Sequence, residues 1–167
     1  MGCGTGVLLE ALGRHLGSVG GSLPGVRLAG VDLSPGMLAV ARERLGSGAS
    51  LVAGDVARLP FRSASFDVAL SANALHHWPD QKAALGEIHR VVAPGGRIAI
   101  TDWCADFPLD RIRSWIRRRA ESIHIRAYRA AELKAMLAGA GFGDIRVERW
   151  RLGWRWGLMT ATATRAR

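Results

Sequence analysis

Residues 2–6 read "GCGTG", and a helical leucine spacing follows at once: Leu8, Leu9, Leu12 and Leu16, with Gly17 placed to end the helix. A glycine-rich turn feeding a helix constrains the fold strongly. Glycine has no Cβ, so the turn can take left-handed angles and let a ligand approach the main chain. The helix then offers unsatisfied N–H groups to that ligand. The spacing Gly2-x-Gly4-x-Gly6 is followed by Val7, so it matches neither the dinucleotide fingerprint G-x-G-x-x-G nor a P-loop.

Strands and helices alternate after the turn. "VRLAGVD" (26–32) predicts a buried strand ending on Asp32. Ser34-Pro35 predicts an N-cap with proline in the first helical position, and Met37, Leu38, Ala41 and Leu45 share the face of that helix. "ASLVAGD" (49–55) and "FDVALSA" (66–72) predict two further strands. Asp80 falls in the first turn of the next helix, whose apolar face is Leu85, Ile88 and Val92. Pro94-Gly95-Gly96 stops it and turns into a strand, "RIAITDW" (97–103). Helices over about 109–123 and 129–140 and a hairpin pairing 144–150 with 154–164 around Gly153 complete the chain. Strands separated by helices imply an α/β fold: a doubly wound, mostly parallel sheet, here closed by an antiparallel hairpin strand.

Composition narrows the class. A chain of 167 residues with 49% hydrophobic content suits one domain with a substantial core. It has no run of eighteen apolar residues, and its first residues lack the charged-then-apolar pattern of a signal peptide, so a cytoplasmic location is expected. Cys3 and Cys104 do not have metal-ligand spacing, and no metal is expected. The formal charge of +9 is uneven: +1 over residues 1–104 and +8 over 105–167. A basic half can face an anionic partner, but only Lys82 and Lys134 are lysines against twenty-one arginines, which reads as compositional drift.

Successive acids at strand ends sharpen the meaning of the turn. Asp32 would lie in the crevice where such sheets bind ligands, with a carboxylate able to accept two hydrogen bonds from a ribose diol. Each such charge-assisted bond contributes roughly 1.5–3 kcal/mol. Asp55 would receive an adenine amino group; taken singly, either acid reads equally as a helix cap or surface residue.

Residues 2–103 resemble class I S-adenosylmethionine-dependent methyltransferases through "GCGTG", "GVDLSPGML", "GDVARLPFRSASFDVALSANALHHW" and "EIHRVVAPGGRIAITDW", in the family's order. The small-molecule branch that includes ubiquinone and menaquinone biosynthesis C-methyltransferases is the most similar, and "AELKAMLAGAGFGDIRVERW" resembles the family's last helix and penultimate strand. The resemblance implies S-adenosylmethionine as cofactor and a Rossmann-like fold. It implies that Gly2, Cys3, Gly4 and Gly6 surround the methionine part. Asp32 would hold the ribose, with Leu33 and Met37 packing near the nucleoside. Asp55 and the Val56 backbone would read adenine, and Ser71, Ala72 and Asn73 would line the methionyl side. Residues 1–103 then form the cofactor part, and 104–167 the substrate side, of a single domain.

The family pattern also has an apolar strand and then an acid just upstream of the first glycine, where this sequence has Met1. The expectation is an upstream segment of roughly thirty to fifty residues carrying that strand, by ordinary element lengths. The alternatives are direct pairing of the two flanking strands or a strand borrowed from a partner.

Methyl transfer mainly requires alignment of donor and acceptor, with a base where the accepting atom must lose a proton. His76 and His77 follow the strand carrying Ser71 and are the candidate catalytic residues; the plainer reading is loop or packing histidines. His124 and Tyr128 lie in the expected substrate-covering segment. On the 109–123 helix, Ile112, Trp115, Ile116 and Ile123 share a face, with Arg111, Arg113, Arg117 and Arg118 mostly elsewhere, a pattern open to peripheral membrane contact or packing on its own domain. In the hairpin Trp150, Leu152, Trp154 and Trp156 share a face opposite Arg149, Arg151 and Arg155; that face reads first as core, with a pocket wall or a docking surface as the alternatives. The expected function is methyl transfer to a small molecule, apolar or aromatic. The alternatives are an RNA methyltransferase using the basic half, against which no Asn-Pro-Pro-Tyr motif is present, and a non-catalytic remnant.

Overall fold

A computed structural model describes residues 1–17, 25–107, 126–152 and 156–167, without the side chains of 152 and 156. The 109–123 helix, His124, and the side chains of Leu152, Trp154, Arg155 and Trp156 therefore lie outside the described residues. The chain groups into two compact units, Met1–Pro60 and Phe61–Arg167.

In the first unit, α1 (Val7–His15) leads to β1 (Ala29–Asp32), α2 (Pro35–Leu45) and β2 (Ser50–Ala53). β1 and β2 run parallel, with Ala29 beside Ser50 and Asp32 beside Ala53. β1 is shorter than the 26–32 expected; its pairing starts at Ala29. Ser34 caps α2 as its sequence predicts: its hydroxyl accepts from Met37 N at 3.3 Å, with Pro35 next. Leu38, Ala41 and Leu45 are buried, but Met37 is exposed, a correction to the expected face. Met37 sits in the first turn of the helix, one position before Leu38, and neighbours in a helix point about 100° apart. Arg44 ties α2 to the glycine turn, donating to Thr5 O and Glu10 Oε2, both at 3.0 Å.

The second unit holds β3 (Phe66–Ala72), α3 (Gln81–Val91), β4 (Val92–Trp103), α4 (Ala130–Gly139), β5 (Phe142–Leu152) and β6 (Trp156–Arg165). Their order is β3-β4-β6-β5. β3 and β4 are parallel, while β6 is antiparallel to both β4 and β5. The last strand thus enters between two earlier ones, a position that the hairpin pattern did not specify. Asp80 is the N-cap of α3 and not part of its first turn; its carboxylate accepts from Ala83 N at 2.9 Å. β4 begins at Val92, so Pro94-Gly95-Gly96 lie within the strand, where the register with β3 shifts between Phe66 and Val68. The expected break is therefore a bulge. Ala84, Leu85, Ile88 and Val91 are buried on α3, and Ile98 and Ile100 on β4. The Arg165 guanidinium donates to the carbonyls of His89 (2.8 Å), Arg90 (3.1 Å) and Val92 (2.6 Å), satisfying acceptors that the end of α3 leaves open. Trp150 is exposed, not core; its indole N–H donates to Thr160 Oγ1 at 3.3 Å.

Among the described residues no helix is long and apolar enough to cross a membrane.

Candidate functional site

The glycine turn has the backbone its sequence calls for. Gly2, Gly4 and Gly6 all have positive φ: 64°, 52° and 79°. At Gly6 the lack of a side chain is also steric: a Cβ there would lie 2.9 Å from Leu45 Cδ1 and 3.2 Å from Ala41 Cβ. Gly4 differs. A Cβ built on it meets nothing within 4 Å, so its main chain faces open space. Cys3 N donates to Val31 O at 2.9 Å, fixing the turn beside β1. Burial, and next the charge of Asp32, push the Cys3 thiol above its usual value, so it is held neutral.

Asp32 joins the turn to the end of β1. Its Oδ2 accepts from Gly4 N at 2.7 Å and its Oδ1 from Ser34 N at 2.9 Å. A carboxylate has about four lone-pair sites, so these two bonds orient Asp32 and leave acceptor capacity on both oxygens. Leu33 and Met37 beside it are exposed, at 72% and 46%. Asp55 lies two residues beyond β2 and caps a 3₁₀ turn, Val56–Arg58, accepting from Ala57 N at 2.9 Å. Val56 is buried. The cap reading of Asp55 is thus real, and its second oxygen remains available.

In the second unit, Ser71 is buried and Ala72 ends β3. Asn73 follows with φ 52°, uncommon for a residue other than glycine, and its N–H donates to Thr101 O at 2.9 Å. This exposed residue turns the chain into a 3₁₀ turn, Leu75–His77.

The two histidines of that turn are unlike. His77 is exposed, whereas only 5% of the His76 side chain is exposed. Their rings lie 3.9 Å apart at 47°. His76 Nδ1 is 2.8 Å from Asp102 Oδ1, and Asp102 is fully buried near the end of β4. The same carboxylate accepts from Trp103 N at 2.8 Å through Oδ1 and from His76 N at 3.4 Å through Oδ2. Asp102 was not among the residues the sequence singled out. Its signal is an acid interrupting the apolar strand "RIAITDW", where an uncompensated charge would cost several kcal/mol or more.

Tyr128 is buried. Its main chain bridges to β4: Tyr128 N donates to Trp103 O at 3.0 Å and Ala105 N to Tyr128 O at 2.7 Å. Its hydroxyl meets Gln81 Nε2 and Leu75 O, bracing the turn that carries His76, and burial raises its pKa so that it stays protonated. The described residues contain no cluster of three metal-ligating side chains.

A demethylmenaquinone methyltransferase of Staphylococcus aureus is 39% identical over 98 residues, which are 58% of this chain and 38% of that protein. The chain spans less than half the length of the curated relatives it matches. Its fold is shared with a methyltransferase from Methanosarcina mazei, at TM-score 0.79 and 19% identity over 99% of this chain and 90% of that one. It is also shared with a phosphoethanolamine N-methyltransferase of Haemonchus contortus solved with S-adenosyl-L-methionine, at TM-score 0.76 and 18% identity over 99% of this chain and 47% of that one. This agreement fits the Rossmann-like α/β class read from the alternation of elements. A family model described as methyltransferase domain matches residues 1–100, and the chain belongs to that family.

Proposed function

We propose that the chain transfers a methyl group from S-adenosylmethionine to a small apolar or aromatic acceptor, residues 1–167 working as one methyltransferase domain. The observation that carries this reading is the Asp32–glycine turn. Its carboxylate is aimed by two backbone amides with acceptor capacity left over, and Gly4 beside it presents open main chain. Those features fit a ligand with a ribose diol and an extended polar tail, and the adenosyl and methionyl parts of the cofactor supply both. Gly2, Cys3, Gly4 and Gly6 would admit the methionyl part, Asp32 would accept from the ribose hydroxyls, and the exposed side chains of Leu33 and Met37 give the nucleoside apolar surface. Asp55 and the backbone of Val56 would read adenine through the oxygen that the Ala57 cap leaves over. The family resemblance alone assigns Ser71 and Asn73 to the methionyl side.

The bound cofactor supplies an activated methyl on a sulfonium. This chain's residues bind and orient it and handle the acceptor's proton. The identity of the Staphylococcus aureus relative supports an aromatic acceptor of quinone type. A cytoplasmic location belongs to the same reading, supported by the low cysteine content.

The test is transfer of label from methyl-labelled S-adenosylmethionine to a soluble naphthoquinol. Labelled, organic-extractable product is expected, with lower yield from Asp32→Ala. Label transferred instead to RNA, with none on any small aromatic, would replace this reading with the RNA one.

A further inference from the structure

We propose that Asp102 is a positioning residue that fixes His76 with its proton on Nδ1, leaving Nε2 as the base that takes the acceptor's proton. This rests on the methyl-transfer reading and adds to it the group that moves the proton and the group that sets its tautomer.

Four observations within the second unit carry the inference. Asp102 is fully buried, with its Oδ1 2.8 Å from His76 Nδ1. An ionised carboxylate only accepts hydrogen bonds, so Nδ1 is the nitrogen that donates to it, and in the neutral form of the ring Nε2 keeps its lone pair. The carboxylate is itself held on both oxygens, by Trp103 N and His76 N, so it cannot swing away from the ring. No buried side-chain nitrogen or oxygen among the described residues lacks a partner, and Nδ1 accounts for the ring's bond to Asp102. Nε2 is the ring nitrogen that the bond to Asp102 leaves over. Finally, the turn that carries His76 is braced: the Tyr128 hydroxyl and Gln81 both contact Leu75 O, the carbonyl just before it.

A histidine that only packed would not need a buried charge. Burying a carboxylate costs several kcal/mol, and attraction to a neutral ring recovers little of that. Attraction grows when the ring becomes positive, because the low-dielectric surroundings strengthen the pair at the moment a proton arrives. That is the arrangement expected of a base. For an acceptor X–H, the X–H proton goes to Nε2, and its electron pair stays on X to form the new bond to carbon. The pair of the broken carbon–sulfur bond stays on sulfur, and the imidazolium then gives its proton to water. His77, exposed and with its ring tilted at 47° to that of His76, makes no such contact with an acid among the described residues and is not assigned this role.

Nitrogen-15 NMR of the histidine rings at neutral pH tests the tautomer without any cofactor. The expected spectrum shows His76 protonated on Nδ1 and bare on Nε2, and Asp102→Asn shifts it toward the Nε2–H form. With a naphthoquinol as acceptor probe, Asp102→Asn and His76→Gln each lower kcat by roughly 100-fold or more, the scale of general-base catalysis. KM and affinity for S-adenosylhomocysteine stay within about threefold, as expected for groups acting on a proton in the transition state. Imidazole in the buffer restores part of kcat to His76→Gly. An Nε2–H tautomer in the wild type overturns the inference, as does a folded Asp102→Asn with unchanged kcat. Calorimetry separates the two readings: binding of S-adenosylhomocysteine with the wrong tautomer sinks the dyad alone, and no binding sinks methyl transfer and the base role with it.

Discussion

Asp32 and Asp102 are both acids toward the C-terminal ends of parallel strands, yet they are built differently. Asp32 is partly open, its two oxygens each take one backbone amide, and its neighbours Leu33 and Met37 are exposed. Asp102 is sealed, and its partners include a side chain that is itself nearly buried. The first arrangement orients a carboxylate and leaves it acceptor capacity. The second spends the carboxylate on another residue of the chain. A strand-end acid therefore announces a site without saying whether it touches the ligand or holds the residue that does. Burial and partner chemistry make that distinction.

The largest expected effect separates the two acids by stability. Asp102→Ala takes away the acceptor of the His76 Nδ1–H and of the Trp103 and His76 amides, and should cost about 1–3 kcal/mol for each donor left buried and unpaired. Asp32→Ala should cost no more than about 2 kcal/mol, since water can reach the amides it frees. Urea unfolding of both variants measures the gap, and equal losses would erase the distinction. Next, Gly6→Val should destabilise by about 2–4 kcal/mol, because a left-handed residue acquires a branched side chain against Leu45 and Ala41. If it leaves cofactor affinity intact while unfolding early, the turn is a packing device and Asp32 loses its frame.

Two caps sharpen the contrast between acids that bind and acids that only hold the fold. Asp55 and Asp80 each accept one backbone amide at 2.9 Å. Alanine at either should cost about 1 kcal/mol, the usual value of an N-cap. Only Asp55→Ala should also weaken cofactor binding, which calorimetry on the two variants decides.

The smallest effect concerns a second histidine. His89 has the Arg165 guanidinium near it where His76 has a carboxylate, and burial first, then Arg165, lowers its pKa from 6.5. The folded state thus favours the neutral ring, while the unfolded chain takes up its proton near 6.5. The stability contribution is full above pH 6.5 and declines as pH falls from there toward the lowered folded value. His89→Gln should flatten that part of the stability–pH curve, measured by urea midpoints between pH 7.5 and 5.5; an unchanged slope would mean that His89 contributes nothing to it.

Much of this architecture is legible in the sequence because its signals are local. The Ser34-Pro35 cap, β3 over 66–72 and the glycine turn each follow from a few adjacent residues. What was not legible depends on partners far along the chain. Pro94-Gly95-Gly96 reads as a break, but pairing with β3 absorbs it as a bulge. Trp150 reads as core from alternation, yet it is exposed, with Thr160 as its polar partner. Asp102 and His76 are twenty-six positions apart, and only the parallel crossover from β3 through α3 to β4 makes them neighbours. In the same way the sequence shows that Asp55 ends a segment, but its cap to Ala57 N required the 3₁₀ turn to be seen.

The most direct measurement is calorimetric titration of S-adenosylhomocysteine into the wild-type chain, Asp32→Ala and Asp102→Asn, side by side. The wild type should bind. Asp32→Ala should weaken binding by about 2–4 kcal/mol through the loss of two charge-assisted hydrogen bonds, while Asp102→Asn stays close to wild type. Equal affinity in wild type and Asp32→Ala, or a loss confined to Asp102→Asn, would contradict the assignment of the open acid to the ligand and the sealed acid to the histidine.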